Sequence, residues 1–414
     1  MMEEEGEEQV PSGVPSLNSD VYSEILYRLN VKSISRFKSV SKEWNAIISS
    51  PSFALNYSKR KPSITGFFYS SSRAYKEKLR YVSIDHREDD VSDPSSCLGF
   101  LDNPAILRNS CNGLLHWSCS RDLHYISNPL TRKSVPVPWT AVDVSVFFSS
   151  GIAFDPSVSL HFELVVLMLQ FQSGEGHHLH VKTFRSETGQ WGETKKILTI
   201  DPQVRVRLFP ISPYQGVYLN GCLHWEMNDN ALLVYNVNQE SAYLMELPPL
   251  QSSSSSYPQP RRRRPFRFMG LLGEQRSNSL TGCLGESGGC LHWCRLGQHL
   301  LQVWSLQNNE HSSSVDWIPK YTVYLDALLL ENSQTSGAII KGEILVLGFL
   351  HDCRGVLLSQ GGKVLAYHFG SNLANGVTKI ESNVWSVIQP YMFFPFVHSS
   401  AVANCLGLFL CQSI

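Results

Sequence analysis

The chain has 414 residues, of which 43% are hydrophobic and only 17% charged, and its formal net charge is −1. That length and apolar share allow two or three average domains, or one large β domain with a small companion. The near-neutral balance gives no global attraction to nucleic acid, an acidic membrane or a strongly charged substrate, and no run approaches the ~18 continuous apolar residues of a membrane span.

The ten cysteines are scattered. The opening MMEEEGEEQV is acidic and lacks the apolar segment of a secretory leader. The expectation is a soluble protein of the cytoplasm, the nucleus or both, with free thiols. Residues 1–16 read as a disordered acidic tail, glutamates followed by Pro11, Gly13 and Pro15.

Residues 17–60 have helical periodicity. Asn18 or Ser19 can cap a first helix, with Asp20 in its positive first turn. Tyr22, Leu26 and Leu29 then recur on one face, with Val21 and Ile25 beside them. Asn30 ends this helix; Ser33 can cap a second with Ile34, Phe37 and Val40, and Ser41 a third with Trp44, Ile47 and Ile48, which Pro51 stops. Three helices this short are marginal alone, and so small a unit cannot enclose all these large side chains. Either a partner covers one face or the helices pack on the β region behind them.

The run LNSDVYSEILYRLNVKSISRFKSVSKEWNAIISSPSF resembles a plant F-box. Matching positions are Leu17, Asp20, Ile25, Leu26, Arg28, Leu29, Val31, Arg36, Phe37, Val40, Ser41, Lys42, Trp44, Pro51 and Phe53. The resemblance implies docking to a Skp-type adaptor, and through it to a cullin. It implies adaptor contacts from Leu17, Ile25, Leu26, Leu29, Val31, Ile34, Phe37, Val40 and Trp44. Both prolines of the family pattern are replaced, by Asn18 and Asn30. Asn18 can supply a cap but not the apolar contact of a proline, so weaker adaptor affinity is expected.

From residue 62 to 414 the pattern is short β runs broken by Gly, Pro, Asn and Ser, with a polar, basic insertion at 251–265. A core string recurs as NGLLHW at Asn112–Trp117, NGCLHW at Asn220–Trp225 and GGCLHW at Gly288–Trp293. Looser units begin at Gly151 and Gly342. Asn-Gly or Gly-Gly supplies positive φ at a tight turn. In the strand that follows, Leu223 and Trp225 share one face, and Cys222 and His224 the other. One such unit cannot bury both faces alone, whereas units stacked radially can.

The predicted fold is therefore a small all-α F-box of three short helices followed by a mainly-β domain, a diverged kelch-like β-propeller of about six blades. Closure is expected from strands near Phe67 and Leu408. An irregular two-sheet sandwich is the alternative. Together, SCNGLLHW, SNPLTRKSVPVP, GIAFDP, GVYLNGCLHW and GESGGCLHWCR make the region resemble the plant F-box-associated domain.

The sequence predicts no catalytic, cofactor or metal site. G-x-S-x-G elbows, P-loops and dinucleotide fingerprints are absent. His116, His224 and His292 occupy the same position of separate repeats and so should be spread around a ring. Cys290, His292 and Cys294 alternate on one apolar strand face, with Cys283 upstream, and lack the second ligand pair of a zinc site. His177, His178 and His180 read as a solvated hairpin tip. Arg261 to Arg264 read as a solvated loop or a nuclear-targeting run.

The function this implies is the substrate-recognising subunit of a Skp–cullin–F-box ubiquitin ligase, not itself an enzyme. Its partners would be the adaptor and a protein substrate, without nucleic acid or membrane. The alternative is a propeller enzyme or small-ligand sensor whose helices only pack internally.

Overall fold

The computed structural model describes residues 19–29, 31–59, 64–69, 80–83, 106–119, 123–129, 133–138, 146–172, 176–200, 215–228, 231–248, 281–297, 300–308, 315–325, 344–350, 354–360, 363–370, 377–381 and 393–397. The acidic tail, Leu17, Asn18, Asn30, the insertion at 251–265 and the strand expected near Leu408 lie outside them.

Four helices open the described chain: α1 Ser19–Tyr27, α2 Val31–Phe37, α3 Lys42–Ser49 and α4 Pro51–Ser58. Ser41 caps α3 as expected, its hydroxyl accepting from the Trp44 backbone N–H at 3.0 Å. Two expectations need correction. Ser33 lies inside α2, which begins at Val31. Pro51 does end α3, but it also opens α4 at the first helical position, where its missing N–H costs nothing. Ser50 caps this extra helix, accepting from the Phe53 N–H at 3.1 Å.

Six sheets follow. Blade 1 is β3 Ile106–Cys111, β4 Leu114–Ser118, β5 Leu123–Asn128 and β6 Lys133–Pro138. Blade 2 is β7 Val146–Ala153, β8 Glu163–Gln172 and β9 Gly176–Arg185, with β10 Gln190–Trp191 and β11 Lys195–Ile200 both paired to β9. Blade 3 is β12 Val217–Leu219, β13 Cys222–Asn228, β14 Ala231–Asn236 and β15 Ser241–Glu246. Blade 4 is β16 Thr281–Ser287, β17 Cys290–Leu296, β18 Leu300–Asn308 and β19 Val315–Tyr324. Blade 5 is β20 Leu345–Phe349, β21 Gly355–Gln360, β22 Lys363–His368 and β23 Val377–Glu381. The last sheet has β1 Ile64–Tyr69 between β2 Arg80–Ser83 and β24 Phe393–Val397.

Every described pairing is antiparallel between strands near in sequence, except that β1 pairs with β24. The first strand of the β region is thereby joined to its last described strand. The inner strands β3, β7, β12, β16, β20 and β24 adjoin in turn, and β24 returns to β3. This closed ring is a β-propeller. Where about six blades were expected, five full blades are described, and a three-stranded sheet holds the closing position. In the fifth blade β21 lies between β20 and β22.

The recurring strings do what their chemistry predicts. Asn112 and Gly113 have φ of 44° and 89°, Asn220 and Gly221 49° and 79°, and Gly288 and Gly289 65° and 80°. Two consecutive positive φ values make the tight hairpin turn that matches strand twist. Each turn leads into a strand whose tryptophan is buried: Trp117, Trp225 and Trp293. Each tryptophan shares a buried cluster with the preceding sheet, Trp117 with Phe68, Trp225 with Val165 and Leu167 of β8, and Trp293 with Leu232 and Val234 of β14. The core is thus a series of apolar seams between blades rather than one central mass.

Polar groups fasten the hub. Asn109 on β3 is fully buried, donates through Nδ2 to the Gly216 carbonyl and accepts at Oδ1 from the Ile152 N–H, both at 3.0 Å. One side chain therefore joins blades 1, 2 and 3.

Candidate docking face of the helical segment

The helices enclose their own core. Leu26, Ile34, Ile48 and Phe53 are buried together, with Tyr27, Leu29, Phe37, Trp44, Ile47 and Tyr57 packed around them half-buried. Aromatic contacts order this shell: Phe53 stacks on Tyr27 with ring centres 4.9 Å apart, and Phe37 meets Trp44 edge-on at 5.1 Å. The Tyr57 hydroxyl donates to the Leu29 carbonyl at 2.7 Å, tying α4 to the end of α1.

α4 also holds the helices to the propeller. Ala54 is buried against Leu160, which precedes β8, with Leu55 beside it. Lys38, after α2, has its pKa lowered, first by burial and then by Lys133 of β6. The helical segment is therefore seated on blade 2 through α4.

A separate set of apolar side chains is covered by neither. Val21 and Ile25 on α1 are 42% and 44% exposed, and Val40 is 60% exposed. Val21 and Ile25 lie four residues apart on one helical face. These three β-branched side chains are already about half covered, so a partner that buries the rest gains roughly half of the ~1.5–3 kcal/mol of a whole side chain, about 1 kcal/mol each.

The expected contact residues thus divide. Ile25 and Val40 are exposed. Leu29, Phe37 and Trp44 are half-buried on the core's rim. Leu26 and Ile34 are buried in the core that the helices form. Leu17 and the side chain of Val31 lie outside what is described. Val21 was recognised only as part of the stripe, though its spacing from Ile25 was the available signal.

The histidine strings lie apart in the ring. His116 shares its Nδ1 with the Ser150 hydroxyl and its Nε2 with His124 Nδ1, both at 2.9 Å. His224 contacts the Val217 carbonyl and His292 the Ser287 carbonyl. All three are buried, and burial is the first cause holding each pKa below the ordinary histidine value, His116 well below it. The Ser150–His116–His124 chain has the atoms of a nucleophile relay, yet all three side chains are buried, so it serves as a seam between blades 1 and 2. His177, His178 and His180 are not a hairpin tip: they lie within β9, paired with β11 at Ile200, Thr199 and Lys196. Among the described residues no group of three or more His, Cys, Asp or Glu side chains could hold a metal ion. Among the same residues no helix is long and apolar enough to cross a membrane.

Residues 92–325 match the family described as "F-box protein At3g26010-like, beta-propeller", and residues 14–56 match the F-box domain. Curated relatives from Arabidopsis thaliana include F-box protein At5g07610, 27% identical over 330 residues that cover 75% of this chain and 70% of that one. Putative F-box protein At3g16210 is 25% identical, covering 56% of this chain and 61% of the relative. Putative F-box/kelch-repeat protein At1g20790 is 24% identical, covering 54% of this chain and 49% of the relative. The solved structures include an oligogalacturonate lyase in complex with manganese, at 7% identity and a TM-score of 0.35 over 67% of this chain and 65% of that one.

Proposed function

We propose, since the chain belongs to the At3g26010-like family of F-box proteins with a β-propeller, that it is the substrate-recognising subunit of a Skp–cullin–F-box ubiquitin ligase. The observation that carries this reading is the exposure of Val21, Ile25 and Val40 on a helical unit whose own core is closed and whose α4 is already seated on the propeller. A Skp-type adaptor covers that face and brings the cullin. The propeller, whose repeats read as diverged kelch-like units, captures a protein substrate. The chain supplies no acid, base or nucleophile. Its contribution is effective concentration: holding substrate beside the charged ubiquitin carrier makes a bimolecular encounter nearly unimolecular.

The α4–Leu160 contact is also what a purely internal role for the helices would use. It leaves the exposure of Val21, Ile25 and Val40 unexplained, which favours the adaptor reading. Proximity labelling compares the parent chain with the Val21→Asp/Ile25→Asp variant. Proteins captured by the propeller should accumulate with the variant and turn over with the parent. Equal labelling and equal half-lives in both would defeat the proposal.

A further inference from the structure

Blade 4 carries two thiols that adaptor docking does not use. Cys283 on β16 and Cys294 on β17 are direct partners in the antiparallel register. Directly opposed residues project from the same face of a sheet. Both belong to the apolar seam between blades 4 and 5, Cys294 fully buried and Cys283 half-buried.

The register brings the pair within reach of a covalent link. As a hydrogen-bonded pair its β-carbons stand toward the wide end of about 4.5–5.5 Å, beyond the roughly 3.5–4.5 Å of a relaxed disulfide, so the link is strained and readily reduced. Ser287 and Cys290 flank the two-residue Gly288–Gly289 turn and form its first hydrogen-bonded pair. Alternation along the ladder makes Cys283 and Cys294 another such pair, with α-carbons about 5.5 Å apart. A disulfide spans roughly 4.4–6.8 Å between α-carbons, most often near that value. Other described cysteines lack this arrangement: Cys111, Cys222 and Cys290 stand opposite Leu114, Leu219 and Ser287.

We propose that Cys283 and Cys294 form a reversible cross-strand disulfide when the protein meets a peroxide. Cys283, the more accessible thiol, reacts first. Its sulfur attacks one peroxide oxygen, the O–O bond breaks, and a sulfenic acid and one water result. The Cys294 sulfur then attacks the Cys283 sulfur, the S–O bond breaks, and the departing hydroxyl leaves as water with the Cys294 proton. Two thiols and one hydrogen peroxide give one disulfide and two waters; the sulfurs lose two electrons and the peroxide gains them. Burial, then the neighbouring Cys283, hold the Cys294 thiol far above its ordinary pKa. Burial shields it from solvent-borne reagents, and its proton leaves with the hydroxyl displaced from Cys283.

The link falls where blade 4 meets both neighbours. On β16, a β-carbon added to Gly282 would meet Glu226 of blade 3, and one added to Gly285 would meet Phe349 of blade 5. Joining β16 to β17 pins the inner strand at that junction, so oxidation should stiffen the ring.

The test uses the full chain. It is treated with hydrogen peroxide, unfolded, alkylated at its remaining thiols, digested with trypsin and weighed. The peptide spanning 277–295 should lose two hydrogens, keep a label on Cys290 alone, and regain labels on Cys283 and Cys294 after dithiothreitol. The oxidised chain should melt at a higher temperature than the reduced one. Cys283→Ser should abolish the mass change while leaving the circular dichroism spectrum unaltered. Alkylation of both residues after a dose that oxidises the other thiols would overturn the proposal. So would a sulfinic acid on Cys283, or a link from Cys283 to any other cysteine.

Discussion

Gly151 and Trp225 meet across the seam between blades 2 and 3: a β-carbon placed on Gly151 would stand 3.0 Å from the tryptophan ring and 2.6 Å from the Leu223 side chain. The inner strand of one blade must lack a side chain here because the next blade fills the space. The same relationship recurs where Gly348 of blade 5 faces Phe67 of the closing sheet, at 2.8 Å. A propeller seam is close-packed like any core, so added volume has nowhere to go.

Gly151→Val should therefore destabilise the propeller by about 1–3 kcal/mol, the usual cost of overpacking. Gly151→Ala should cost less, because the Leu223 methyl that it meets can turn away. Urea unfolding followed by tryptophan fluorescence reads both, and Trp225 itself reports on the seam.

Asn109→Leu should be more damaging than its conserved volume suggests. The substitution orphans the buried Ile152 N–H and Gly216 carbonyl. Each unsatisfied buried group costs about 1–3 kcal/mol. Asn109→Asp should also be damaging at neutral pH, because it sets a buried carboxylate oxygen against the Gly216 carbonyl, and its thermal melt should recover as acid protonates that carboxyl.

Acid should weaken the fold in a defined window. Burial first, then His124 and Arg108, hold His116 neutral in the folded chain, and burial does the same for His224 and His292. The unfolded chain binds these protons near the ordinary value of about 6.5. The depressed histidines therefore give a contribution that is full above about pH 6.5 and declines as pH falls below it, because the unfolded state then binds more protons. The urea midpoint should drop between pH 7.5 and pH 5.5. His116→Gln should lower the midpoint at pH 7.5 and flatten the drop, with His224 and His292 keeping part of the slope.

The turns were legible because positive φ at consecutive residues is a property of Asn and Gly themselves, so Asn112–Gly113, Asn220–Gly221 and Gly288–Gly289 could be placed from residue type alone. Strand alternation likewise placed Leu223 and Trp225 on one face. GVLLSQ, which forms β21, is buried along most of its length, so no alternation of apolar and polar residues marks it as a strand. Pro51 was ambiguous in kind: the same missing N–H that ends one helix suits the start of another.

The docking face was legible only as a stripe. Ile25 and Leu26 are adjacent and chemically alike, yet one is 44% exposed and the other 0%. Periodicity reports that a face is apolar, and only packing decides which part of it the helices close over.

That contrast supplies the most direct test. Titration calorimetry of the full chain with a purified Skp-type adaptor compares the parent with Val21→Asp/Ile25→Asp, Val40→Asp and Leu26→Ala. The docking account predicts that the exposed-face variants lose adaptor affinity at least tenfold while melting like the parent. Leu26→Ala should lower the stability of the helical unit by about 2–5 kcal/mol, and its binding should fall only as far as that unit unfolds. Parental affinity in Val21→Asp/Ile25→Asp, with the helices folded, would contradict the account.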